Sequence, residues 1–512
     1  MSQVTKALRR SSGALRAVLV AGVGAGLVLG AGQATTTLDL TTAPGGRTAS
    51  AADAGAPEPV DSSAVVCPGP EERGVDGVDG WDQQVGVSAV TAPAQVLPRD
   101  ARPTTAGTVA LRALPGKGTA AELTQRGEAA QRDLASATSL LLSGGRGLAP
   151  GLVASQSTLV PSGEHRMLST TACTAPAAES WLVGGGGGAG RQEYVVLSNP
   201  GPNAISVDVD VLGARGPVDS PNGHGIVVGP YDRTVVLLDA IAGEEKRPVV
   251  HVTAQGGDVV AALADTWLEG TVPRGGETTS PAAEPATEQV IPTLSRGKGK
   301  AGAVVRVAVP GETEAVVQLR VLTSKGARRV KHDVTRVPGQ SVADIDVSDL
   351  PEGTYAVQVR ADEPVVAGAW VERRAGKGDP ADFAWMPSTE PVDRLAGLPL
   401  QPSPPGAGDG KDTPEVSSSL VLAATGQRAT VQVTTIGPHG KPSADSVKVA
   451  ADSSTSLDLH DARVVWVQPL HGVVRAGVVS TASTKDGDLV AAAPLNQLPL
   501  THVPVMLRQV GN

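Results

Sequence analysis

The stretch Gly74-Val-Asp76-Gly-Val-Asp79-Gly-Trp-Asp82 holds three carboxylates at three-residue spacing with glycines between them. Calcium is a hard cation that takes several oxygen ligands, and Asp76, Asp79 and Asp82 could wrap around one. The spacing is not that of an EF-hand loop, and Asp-Gly steps are ordinary turn formers, so turns are the preferred reading and calcium the alternative. Ser295-Arg-Gly-Lys298 fits S-x-x-K only formally, because it sits in a Gly/Lys segment without companion motifs. The eight histidines are scattered, with no H-E-x-x-H and no Cys/His pair at metal spacing. His251 lies on a predicted strand and reads as a packed or solvated strand residue. No G-x-S-x-G elbow occurs. Gly185, Gly187 and Gly190 match G-x-G-x-x-G, but a pyrophosphate needs a helix opening at the last glycine. Arg191-Gln-Glu-Tyr-Val-Val-Leu197 follows instead, a predicted strand. The tract is therefore expected to be a joint between two β elements. No catalytic, cofactor-binding or metal residue is assigned, and the chain does not read as an enzyme.

Cys67 and Cys173 are the only cysteines. A reactive thiol or half of a metal site is the functional alternative; a structural disulfide tying the start of the first domain to its end is the expectation. The aromatics raise a sugar-binding hypothesis, since Trp faces stack on sugars. Trp267 and Trp370 occupy the same place in two repeats, at the end of the last strand, and Trp181 sits at a comparable domain end. The third repeat carries Val478 there, which suits a replaceable packing residue better than a ligand contact.

These residues are carried by a repeated pattern. Val207-Asp-Val-Asp-Val-Leu212, Val317-Gln-Leu-Arg-Val-Leu322 and Val431-Gln-Val-Thr-Thr-Ile436 alternate apolar and polar residues, placing one face in a core and one in water. A glycine follows each by four positions: Gly216, Gly326 and Gly440. Each copy then offers further short strands and a closing hairpin. Six or seven strands in about 65–80 residues read as an antiparallel β-sandwich. The predicted fold is all-β, with three tandem Ig-like antiparallel β-sandwich repeats at 191–271, 301–374 and 417–484. Linkers are expected at 272–300 and 375–416, and a C-terminal extension at 485–512. Separate sandwiches are preferred over a shared propeller-like ring, the weaker alternative. Residues 63–190 read as a mainly β domain closed by the disulfide, with a possible helix at 120–142 whose Leu123, Ala130, Leu134, Ala137 and Leu141 share a face.

Lys6, Arg9, Arg10 and Arg16 precede an uncharged run from Ala17 to Leu38. This is the pattern of a signal peptide or of a membrane anchor helix through residues 17–38, and both stay open. Residues 39–62 read as a disordered tether. The chain is thus expected to be extracytoplasmic: secreted, or anchored by its N-terminal helix. A net charge of -9 and the absence of a basic block beyond the first sixteen residues exclude nucleic acid as a natural partner. Aromatics are 2% of the chain, so cores must be built from Val, Ala and Leu.

Cys67-Pro-Gly-Pro, Cys173-Thr-Ala-Pro, Ser180-Trp-Leu-Val-Gly-Gly and Leu197-Ser-Asn-Pro-Gly-Pro together resemble an uncharacterised family of actinobacterial secreted or membrane-anchored envelope proteins, often encoded near a large membrane glycosyltransferase. The resemblance spans most of the chain after the signal and carries over no catalytic residues. It implies an envelope location and an accessory role in polysaccharide assembly. The resulting expectation is a non-enzymatic scaffold binding an envelope protein or polysaccharide, and through the resemblance a membrane glycosyltransferase. A carbohydrate-binding module is the alternative, and a hydrolase with a site assembled between repeats the third.

Overall fold

A computed structural model describes residues 57–70, 84–116, 118, 121–134, 138–298, 301–401, 404, 414–497 and 499–502. Most of the expected tether, the segment 17–38 and Asp76, Asp79 and Asp82 lie outside the described residues. Among the described residues the one α-helix is the single turn Asp239–Ala242, and no helix is long and apolar enough to cross a membrane.

Alternating valines dictate the architecture. The strand Ile205–Gly213 buries every second residue from Ile205 through Val207, Val209 and Val211, and Ala315–Thr323 and Ala429–Ile436 carry the same inward valines. A strand with one apolar face must cover it with a second sheet. Among the described residues the chain does so four times. In every sandwich one antiparallel sheet runs first–sixth–third–fourth strand and the other fifth–second–seventh–eighth. The first sandwich opens with Ser62–Cys67 and closes with Met167–Ala172. The second runs from Glu179–Val183 to Val272–Thr279, with an extra short strand, Ile226–Val228, on its third. The third runs from Ala286–Arg296 to Ala381–Pro387, and the two halves of Gly353–Arg374 serve as its sixth and seventh strands. The fourth runs from Ala396–Pro399 to Gly487–Pro494. Each has its own Val/Leu/Ala core between its two sheets.

Several expectations are corrected here. The region before residue 191 is a fourth copy and not a different domain, and Glu179–Val183 belongs to the second sandwich. The described residues of 120–142 form no helix: Ala121–Leu123, Ala129–Leu134 and Ser139–Arg146 are strands, because sheet pairing overrides a weak helical pattern interrupted by Gly127. The segments read as linkers, 272–300 and 375–416, hold eighth and first strands of successive sandwiches, and the segment read as an extension, 485–512, holds the last eighth strand. Their Pro, Gly and hydroxyl content disguises them. The strand order also differs from that of immunoglobulin domains at both ends. Second pairs with fifth and third with sixth, as there, but here the first strand pairs with the sixth and the seventh with the second.

The four eighth strands meet. Met167–Ala172 packs against Val272–Thr279, that against Ala381–Pro387, that against Gly487–Pro494, and the last returns to the first. The sandwiches thus form a closed ring, and their edge strands, which would otherwise expose unpaired backbone, are buried at its hub. Glu58–Pro59 pairs with Thr501–His502, tying the first sandwich to the segment that leaves the fourth.

Candidate functional site

Two carboxylates hold the hub. Asp382, from the third sandwich, accepts the backbone N–H groups of Leu168 in the first (3.2 Å) and Val490 in the fourth (2.9 Å) through Oδ2. Glu277, from the second, accepts the Ser169 hydroxyl at 2.7 Å. Arg166 donates to the carbonyls of Ala381 (2.6 Å) and Gly487 (3.0 Å). Burial disfavours the charged form of each: the Asp382 carboxyl is pushed up to about 8, Glu277 well above the usual carboxylate range, and the Arg166 guanidinium down. At neutral pH Asp382 is therefore largely a neutral acid.

The seam between the second and third sandwiches gathers the sequence-selected aromatics. Trp181, Trp267 and Trp370 join Val183, Val249, Val366, Phe383 and Trp385 in one apolar cluster. Trp181 is 6% exposed and stacks on His251 at 4.0 Å between ring centroids. The guanidinium groups of Arg191 and Arg274 each lie 5.4 Å from the centre of the Trp267 ring. Arg191 pairs with Asp265, which also accepts the Trp385 indole N–H at 3.0 Å. Desolvation, with Asp265 close by, raises the Glu193 carboxyl to about 7 against the opposing pull of Arg191. The glycine tract completes this seam. Arg306, from the third sandwich, donates to the carbonyls of Gly184 (3.1 Å), Gly185 (2.8 Å) and Pro248 (3.2 Å) while pairing with Asp344. Glycine is required where the tract turns: Gly190 has φ 77°, and a Cβ there would stand 1.8 Å from the Leu268 carbonyl oxygen. The tract joins the first and second strands of one sandwich, and the Arg191–Asn199 strand follows it, as expected of a β joint.

Cys67 and Cys173 are bonded to each other at the base of the first sandwich. Cys173 directly follows the eighth strand, so the bridge ties the beginning of that sandwich to its hub side. His251 donates from Nε2 to the Glu179 carboxylate at 2.8 Å on a strand surface. Ser295 accepts from Arg373, and Lys298 belongs to no catalytic pair with it among the described residues. No group of three His, Cys, Asp or Glu is placed to hold a metal ion among the described residues. Residue spacing did not reveal the hub groups Arg166, Glu277 and Asp382. The signal available was a charged residue within or directly before a strand of small and apolar residues late in a copy: Arg166 before Met167–Ala172, Glu277 in Val272–Thr279 and Asp382 in Ala381–Pro387.

A model of a protein family of unknown function matches residues 128–460. The chain belongs to that family, DUF5719. The DUF5719 match begins inside the first sandwich and ends inside the fourth. No curated protein matches the chain. Among solved structures it is similar to Thermotoga maritima 1070 (13% identity, 21% of this chain and 96% of that one, TM-score 0.18). It is also similar to the Anabaena sensory rhodopsin transducer (19% identity, 17% and 96%, TM-score 0.15). A tetra-tandem repeat from the extending region of a large adhesion protein aligns over 82% of this chain and 97% of that one, at 15% identity and TM-score 0.10.

Proposed function

We propose that this protein is a non-enzymatic, exported scaffold of the cell envelope that presents the outer faces and seams of a rigid ring to an envelope protein or polysaccharide, as an accessory to polysaccharide assembly. One observation carries the reading: the conspicuous polar and aromatic residues are engaged between sandwiches. Arg306, Asp382, Glu277 and Arg166 bridge neighbouring copies, and Trp181, Trp267 and Trp370 fill a seam. Such an arrangement fixes relative orientation, which is what a scaffold needs. The buried disulfide suits an oxidising compartment.

The test is mild cross-linking in intact cells followed by affinity purification of the tagged chain from membranes. Recovery of the same envelope component, lost when that component is deleted, is the expected result. Failure to recover any envelope component, or turnover of cell-wall glycan by the purified protein, overturns the proposal.

A further inference from the structure

A cavity of about 520 Å³ lies at the seam between the third and fourth sandwiches. Arg296 and Arg373 reach it from the third sandwich, and Ser417, Ser418 and Thr481 from the fourth. Among the described residues Arg373 makes one polar contact, donating from Nη2 to the Ser295 hydroxyl at 2.7 Å, and its Nε is buried without a partner. Arg296 directs its Nη groups at the carbonyls of Ala301 (2.6 Å), Gly302 (3.2 Å) and Ser348 (2.9 Å), and its Nε is likewise buried and unpartnered. Among the described residues neither guanidinium has a carboxylate within ion-pairing distance. Of the other buried arginines, Arg191, Arg274 and Arg306 do, whereas Arg166 at the hub is held by carbonyls and the Thr484 hydroxyl.

Neither guanidinium has a direct ion pair: Asp488, Glu352 and Asp382 act on Arg373, and Asp346 on Arg296, only at longer range, which leaves room for an anion beside them. Burial depresses both, so the fold holds each cation where its charge is disfavoured. A buried charge without a partner costs stability, and a ligand that supplies the missing negative charge removes that cost. The rest of the lining selects the ligand's body. Serine and threonine hydroxyls donate and accept, the carboxylates Glu352, Glu415, Asp458 and Asp461 accept only and confine an anionic group to the arginine side, and His460 completes the polar lining. Aliphatic surface is scarce there, being mainly Leu400, Val416, Leu459 and Val479. A hydroxyl-rich molecule bearing one anionic group matches this lining, and the volume falls in the range of small-ligand sites, roughly 300–1,000 Å³.

We propose that this seam binds an anionic sugar, with Arg373 taking its carboxylate or phosphate, Arg296 adding positive charge behind it, and the facing hydroxyls of the fourth sandwich taking its ring hydroxyls. The site goes beyond the scaffold reading, which survives if no sugar binds.

Titration calorimetry on the full-length protein tests it with glucuronic acid and glucose 1-phosphate against glucose and inorganic phosphate. Binding of one or both anionic sugars, with glucose and inorganic phosphate at least about tenfold weaker, is expected, because hydrogen bonds to charged groups and to hydroxyls must both contribute. Which anionic sugar binds identifies the group as carboxylate or phosphate. Arg373→Met is expected to weaken binding by about tenfold or more while leaving the melting temperature unchanged or higher, since it removes an uncompensated buried charge. Ser295→Ala, a milder change that frees the Arg373 side chain, is expected to weaken binding by about threefold to tenfold. Absence of binding by either anionic sugar, equal binding of glucose or of inorganic phosphate, or unchanged affinity in both variants overturns the proposal. A fall in the melting temperature of Arg373→Met with affinity retained in Ser295→Ala assigns Arg373 to the fold and overturns it too.

Discussion

Trp181 shows how one residue type serves two hypotheses that physics separates. An indole that stacks on sugar keeps a face in water, whereas this one is 6% exposed, with one face on His251 and its body among Val183, Val249 and Trp385. Trp181→Ala is therefore expected to cost about 3–5 kcal/mol, as truncation of a buried Trp does. A urea-unfolding midpoint that does not move would refute the packing role. At Gly190 a Cβ would collide with a backbone oxygen at 1.8 Å and adopt a left-handed φ of 77°. Gly190→Ala is expected to destabilise by at least about 2 kcal/mol, read by the same method. The joint in that tract was legible from composition. Its docking on Arg306 was not, because Arg306 lies in another sandwich, more than a hundred residues away.

At the scale of the elements, alternation and turn chemistry located the third strand of each of the three expected copies. The glycines four residues beyond it, Gly216, Gly326 and Gly440, all carry positive φ at the following hairpin. The same signal was present in the missed copy, where Val109-Ala-Leu-Arg-Ala-Leu114 is followed at the same offset by Gly118, also at positive φ. It was obscured because its flanking strands are short and polar: Ala129–Leu134 buries only Leu134 fully. The disulfide closes this weaker sandwich. Opening it with a Cys67→Ser/Cys173→Ser double variant is expected to remove up to about 4–5 kcal/mol in the chain-entropy account of a loop this long, the residues being 106 apart. Loss of protection in amide exchange confined to the first sandwich, with the others retained, is the expected pattern; exchange unchanged throughout would show the bridge to be idle.

On the scale of the whole molecule, the hub couples stability to pH. Asp382 carries a folded-state value of about 8 against an ordinary value of 3.8, and Glu277 is raised as well. The folded state keeps protons that the unfolded chain has already lost, so it binds more protons between the two values. Stability is therefore fully present below the unfolded values and falls as pH rises from about 4 to about 8. Asp382→Asn keeps an oxygen to accept from Leu168 and Val490 and has no proton to lose. It is expected to be close to neutral at pH 6 and to flatten the decline. Urea midpoints measured from pH 5 to 9 decide this, and a rise in wild-type stability across that range would contradict the hub's protonation.

The sequence alone determined local quantities: strand period, turn glycines, valine-rich cores too poor in aromatics for large apolar cavities, and a cysteine pair suited to a disulfide. Each depends on residues within one strand or hairpin, where the pleat and steric limits on φ act directly. Only the tertiary structure decided that there are four copies, that their terminal strands exchange neighbours relative to immunoglobulin domains, and that they close into a ring. Those outcomes depend on which sheet edge a strand takes and on which distant strand covers it. Pairing energies between residues a hundred positions apart leave no periodic trace in the chain.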